Sequence, residues 1–244
     1  MNKQLLRPTV LALALLAPAL GAQAAAAPAA SVAWQPAAAD ADIERAFAQA
    51  RSEKKPVLLY WGAKWCPPCN QLKATLFNRQ DFIEQSRAFV AVHIDGDLPG
   101  AQKLGARFKV RGYPTMILFS PEASEITRLP GEVDAPQVMK VLQLGLAGGR
   151  PVKTVLAEAR TGKKLSANEW RLLAFYSWET DEQQLVSPAD RPGLLAQLAL
   201  ASQGVDAETT TRLWLKALAA SDEGKGLKPD TALAQRVQAV LASA

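Results

Sequence analysis

Val57-Leu58-Leu59-Tyr60-Trp61-Gly62-Ala63-Lys64-Trp65-Cys66-Pro67-Pro68-Cys69-Asn70-Gln71-Leu72 is the stretch whose reading decides the fold of this chain. Its first five residues are a short apolar run bounded by turn formers, the pattern of a strand buried on both faces. From Cys66 the period changes: Leu72, Leu76 and Phe77 fall on one helical face, so a helix is expected to begin at the first cysteine. Pro67 and Pro68 suit its first turn, where their missing N–H groups would be unpaired in any case. A helix N-terminus presents free N–H groups and a partial positive charge, which favour thiolate over thiol. Cys66 is therefore expected at the cap, its sulfur accepting the Cys69 N–H, facing solvent as the attacking group. Cys69, one turn further in and more shielded, would resolve a mixed disulfide. Lys64 either adds a cation that lowers the pKa of Cys66 or is an ordinary solvated lysine.

The two cysteines are the only ones in 244 residues. A protein that uses disulfides for stability usually carries more of them, closing longer loops, and a bond between Cys66 and Cys69 would constrain the unfolded chain very little. Chemistry is the better reason for the pair. A zinc half-site would need two further ligands, and the single histidine, His93, sits mid-strand away from the motif. His93 reads as a satisfied core or edge residue. Copper delivery through Cys66, Cys69 and His93 is the weakest reading, because nothing places His93 beside the motif. No metal is expected, and no cofactor beyond a redox-active Cys66–Cys69 disulfide.

Working outward, Asp40 opens a helical pattern with Ile43, Ala46, Phe47 and Ala50 on one face. Asp81 starts a short helical turn, and Phe89 to Ile94 is a second buried strand closed by Asp95-Gly96-Asp97. A short helix over 101–108 leads to a third strand over 115–119 and an edge strand over 125–129. Asp134 caps a helix carrying Val138, Val141 and Leu142. This order predicts an α/β sandwich built on a βαβ unit over residues 40–147. Gly148-Gly149-Arg150-Pro151 then reads as punctuation. Beyond it there is no strand signal. Ser166 to Glu169 is a capping box ahead of Trp170, Leu173 and Ala174. Asp190, Asp206 and Asp230 precede further helices, the second of these with Leu213, Leu215 and Leu218 on its apolar face. Residues 151–244 are read as an all-helical domain.

The Ala- and Pro-rich residues 25–39 are read as a flexible lead, and 1–24 as a secretory signal peptide. Lys3 and Arg7 form its positive end, Thr9 to Leu20 its apolar run, and Ala22-Gln23-Ala24 a cleavage pattern. An uncleaved anchor would need about 20 apolar residues, and Pro18 interrupts a run already shorter than that. No later segment is apolar enough to span a membrane, so no stable membrane insertion is expected after signal removal. The formal charge of +5 falls to +3 without Lys3 and Arg7, with no basic cluster to argue for nucleic acid.

Trp65-Cys66-Pro67-Pro68-Cys69, with Tyr113-Pro114-Thr115 downstream, resembles the thioredoxin superfamily. Together with the signal peptide, the context Trp-Cys-x-x-Cys-Asn-x-Leu-Lys is similar to exported bacterial members such as the C-terminal domain of the electron-transfer protein DsbD. The resemblance covers about residues 40–147 and implies a thioredoxin-like three-layer α/β/α sandwich, here with a C-terminal all-α extension. It implies a cis bond before Pro114, with that proline against the Cys66 sulfur and the Tyr113 backbone pairing with bound peptide. Trp65, Tyr113 and Gly131 would frame the groove. It also implies a periplasmic thiol–disulfide oxidoreductase whose partners are thiols and disulfides of exported proteins and an upstream thiol electron donor. Two departures stand out. Tyr60 occupies the position of the usual buried aspartate, and Ala91 that of its lysine, so the usual proton acceptor for Cys69 is missing. Direction stays open between reductase and oxidase. The alternative from another class is a binding protein whose helical domain recognises a client.

Overall fold

The computed structural model describes residues 31–129, 135–179 and 185–223. The expected signal peptide, Gly131, the Asp134 cap and the helix after Asp230 lie outside them.

Among the described residues five strands form one mixed sheet in the order β1-β3-β2-β4-β5. These are β1 (Gln35–Ala37), β2 (Val57–Gly62), β3 (Val90–Asp95), β4 (Thr115–Phe119) and β5 (Glu125–Leu129). β1, β3 and β2 run parallel, and β4 and β5 are antiparallel to their neighbours. All six residues of β2 are buried, as the apolar run requires. Alternation along the strand splits them between two layers. Val57, Leu59 and Trp61 face α1 (Asp40–Glu53) and α4 (Pro99–Arg107), packing with Ile43, Phe47 and Leu104. Leu58 and Tyr60 face the other layer. It holds α2 (Pro67–Leu72), a π-helical turn over Lys73–Phe77, α3 (Gln80–Gln85) and α5 (Ala135–Leu146). This is the α/β/α sandwich expected for a thioredoxin fold.

The flexible lead needs correction. Gln35–Ala37 is a strand paired with Val92 to Ile94, Val32 is buried, and Trp34 packs on Tyr60, Phe77 and His93. Three residues that include a proline carry no periodicity, so only the partner strand reveals them. Pro36 is tolerated because β1 is an edge strand.

Among the described residues four helices follow: α6 (Val152–Arg160), α7 (Ala167–Phe175), α8 (Arg191–Ala201) and α9 (Ala207–Glu223). Ser166 and Glu169 make the expected capping box. On α9 the expected Leu215 is 41% exposed, and Trp214 takes the inward place beside Leu213 and Ala217. These helices do not close a core of their own. Val155, Leu156, Trp170, Leu173, Tyr176 and Trp178 belong to the same buried cluster as Leu118, Ile126 and Val138 of the sandwich. The break read at Gly148-Gly149 is a tight turn within one body, with Gly148 at φ +91°. A Cβ on Gly149 would lie 2.8 Å from Ile126 Cγ2, so this glycine permits close packing on β5.

At the opposite edge, a Cβ on Gly100 would lie 1.6 Å from the Ala38 carbonyl oxygen, a backbone atom just past β1. Gly100→Ala must therefore push α4 and the β1 segment apart. Urea denaturation is expected to register a loss of about 1–3 kcal/mol. An unchanged midpoint would show that this edge yields freely.

Candidate active site

β2 ends at Gly62, and residues 63–66 carry the chain from the sheet to α2. Three bonds hold this loop. The Cys66 N–H donates to the Ala63 carbonyl (3.3 Å), the Lys64 N–H to Asp97 Oδ2 (3.2 Å), and Asn70 Nδ2 to the Lys64 carbonyl (3.0 Å). Cys66 is the N-cap, and its Sγ accepts the Cys69 N–H at 3.3 Å, as the sequence implied. The two cysteines are disulfide-bonded, with Cα atoms 5.3 Å apart.

The second segment comes from 47 residues further on. The Tyr113–Pro114 bond is cis, and the Tyr113 carbonyl oxygen lies 3.5 Å from Cys66 Sγ. Thr115 Oγ1 donates to the Gly112 carbonyl (2.8 Å) and fixes the turn. The Tyr113 ring is half-buried and lies so close to Gly96 that a Cβ there would be 2.4 Å from it. Burial, with Asp97 and Asp95 nearby, raises the Tyr113 pKa above its ordinary value.

One expectation about Cys66 fails. It was to face solvent, yet it is 2% exposed, against 0% for Cys69. Cys66 is still the outer of the two. Ala63 and Tyr113 cover it, the latter a contact across 47 residues that local spacing cannot encode. Trp65 is 70% exposed, with its ring 6.2 Å from that of Tyr113, so two rings of the expected frame do stand together. The Lys64 side chain is exposed, while its backbone anchors the loop. Sequence reasoning passed over Asp97 and Asn70 as anchors. Their signal was present in Asp95-Gly96-Asp97, read only as a turn, and in the asparagine directly after Cys69.

Among the described residues no three His, Cys, Asp or Glu side chains converge as a metal site, and no helix is long and apolar enough to cross a membrane. His93 is not the satisfied residue expected. It stacks on Tyr60 (centroids 5.1 Å, planes 18° apart), and its buried Nε2 has no hydrogen-bond partner.

Residues 43–145 match the family model of a thioredoxin-like domain. The chain is 33% identical over 99 residues to the thiol:disulfide interchange protein DsbD of Pseudomonas fluorescens, an alignment covering 39% of this chain and 17% of that protein. It is 32% identical over 99 residues to DsbD 2 of Pseudomonas aeruginosa, with the same coverage. The chain thus spans about a sixth of the length of these relatives. The solution structure of a thioredoxin from Thermus thermophilus superposes with a TM-score of 0.42 at 26% identity, over 49% of this chain and 90% of that one.

Proposed function

From the thioredoxin-like domain formed by residues 43–145, we propose that this chain is a thiol–disulfide oxidoreductase working through Cys66 and Cys69. The observation that carries the reading is the convergence on one sulfur of two distant segments: Cys66 Sγ takes the Cys69 N–H and lies 3.5 Å from the Tyr113 carbonyl. In the reduced form the Cys66 thiolate attacks a partner's disulfide. A bond forms between Cys66 and one partner sulfur, and the other leaves as thiolate. Cys69 then attacks Cys66 Sγ, closing the pair and releasing the second partner thiolate. Two electrons pass from the pair to the partner. Trp65 and Tyr113 flank the approach, and the Tyr113 backbone offers an extended peptide a strand-like partner.

The reaction is placed in the periplasm, after export directed by residues 1–24. Exported proteins are its substrates, and an upstream dithiol regenerates it. The DsbD likeness favours the reducing direction. Glutathione equilibration with insulin reduction alongside tests this. A potential nearer thioredoxin's value of about −270 mV than DsbA's of about −120 mV is expected, with steady insulin precipitation. A value near −120 mV would assign the protein to oxidation instead. The binding-protein reading loses ground, because the helices are built into the core of the sandwich and do not stand apart as a docking module.

A further inference from the structure

Between α4 and the Trp65–Tyr113 pair lies a cavity of about 400 Å³, lined among others by Trp65, Ala101, Gly105, Val110, Arg111 and Tyr113. Two of its walls flank the attacking sulfur. Trp65 directly precedes Cys66. Tyr113 packs on the cluster that holds both cysteines, and its carbonyl oxygen lies 3.5 Å from Cys66 Sγ.

Gly105 is the residue of this cavity that the fold does not account for. It sits in the last turn of α4, where glycine weakens a helix relative to alanine. Glycine at 96, 100 and 149 answers to a close neighbour, because a Cβ would run into Tyr113, Ala38 and Ile126 respectively. Gly105 has no such reason. Its φ is not positive, and a Cβ there would have the Cβ and carbonyl oxygen of Val110 as its nearest neighbours, both at an ordinary 3.9 Å. A Cβ on Gly112, another residue lining the cavity, would meet none of the described atoms within 4 Å. The fold has room for a side chain at 105, and its absence enlarges the cavity. The other walls suit a ring. Trp65 is 70% exposed, and its ring stands 6.2 Å from that of Tyr113 with the planes 57° apart. Aromatic faces and edges left open in this way favour a further aromatic group. The exposed residues Gln102 and Arg111 add polar groups beside them, and a guanidinium also stacks on rings.

We propose that this cavity receives a tyrosine side chain of the partner polypeptide, carried beside the cysteine that Cys66 attacks, and that Gly105 sets the preference by leaving it room. The inference rests on the oxidoreductase reading and names the class of disulfide that the site selects. The partner's ring stands against Trp65 and Tyr113, with its hydroxyl towards Gln102 and Arg111. Burying the ring holds the partner's sulfur beside Cys66 Sγ, so binding is spent on orienting the attack. Gly105 touches no reacting atom and acts on specificity alone.

The test uses the reduced full chain and short peptides whose single cysteine is disulfide-bonded to thionitrobenzoate and flanked on both sides by tyrosine, leucine or alanine. Attack by Cys66 forms a bond to the peptide sulfur and releases thionitrobenzoate, whose colour gives the rate. The wild-type chain is expected to react about tenfold faster with the tyrosine peptide than with the alanine one, the discrimination of a single side-chain pocket. In Gly105→Leu the added side chain fills the cavity, and the ratio should fall to near one through loss on the tyrosine peptide. Gly105→Ala adds one methyl where there is room, so it should melt no lower than wild type and lose part of the ratio. It decides the matter if the leucine variant does not fold. Equal rates on tyrosine and alanine peptides in the wild type, a leucine peptide as fast as the tyrosine one, or a ratio that survives in folded variants would overturn the inference alone. Wild-type protein that releases no thionitrobenzoate from any peptide would sink the exchange reading, and this one with it.

Discussion

Cys66→Ser is expected to abolish insulin reduction, and Cys69→Ala to halt it one step later. Serine at 66 can still cap α2, since its oxygen can accept the Cys69 N–H that the sulfur accepts now. Loss of the disulfide costs little stability, because the two cysteines are only three positions apart and the bond constrains the unfolded chain very little. Both variants should therefore fold, and the loss is chemical. A hydroxyl is not ionised at neutral pH, so turnover should fall by on the order of 10³-fold or more, as in other enzymes stripped of a covalent nucleophile. Cys69→Ala keeps the attacking thiol and lacks the resolving one. It should accumulate one partner per chain as a mixed disulfide, visible on non-reducing gels and by mass. Turnover by Cys66→Ser, or trapping through Cys69 in that variant, would reverse the assigned roles.

The largest stability effect is expected at Arg128. Its side chain is 1% exposed, and its guanidinium donates to both Glu125 and the main chain. Nε and Nη2 donate to the two Glu125 carboxylate oxygens (2.9 and 3.0 Å), and Nη1 and Nη2 to the Lys109 and Phe108 carbonyls (2.9 Å each). Arg128→Met keeps the bulk and leaves a part-buried carboxylate and two carbonyls short of donors. Removing one partner of such a pair costs about 3–5 kcal/mol, far more than an exposed pair would. Chemical denaturation should register that loss, and Glu125→Gln in the same chain should recover part of it. A loss under about 1 kcal/mol would mean that water serves these groups as well as arginine does. The same site joins distant parts of the fold. The Tyr176 hydroxyl donates to Glu125 (3.3 Å) and the Ser177 N–H to the Arg128 carbonyl (3.2 Å). Phe108 and Lys109, in turn, lead into the Tyr113 turn.

The local features were legible in the sequence, and the long-range ones were not. The apolar run at 57–61, the helix cap at Cys66 and the box at Ser166 rest on neighbours within a few residues, and each is where spacing put it. β1 was missed because three residues around Pro36 have meaning only beside Val92 to Ile94. The exposure of Cys66 was misjudged because Tyr113 covers it from 47 residues away. Gly149 read as a linker residue because local composition cannot distinguish a glycine that turns from one that fits under Ile126. The buried phenol–imidazole stack escaped for a related reason: Tyr60 was noted for the aspartate it replaces and His93 for being alone, and only the β2–β3 register pairs them.

The core shared across Gly148-Gly149 also sets a timetable for the newly made chain. Among the described residues the two cysteines and every strand precede residue 130, whereas Trp170, Leu173 and Trp178, which share a buried cluster with Leu118 and Ile126, are made later. Until those side chains arrive, the sheet keeps an uncovered apolar face and the cysteine pair belongs to an unfinished body. The cysteine pair is therefore made well before the core shared with those helices is complete.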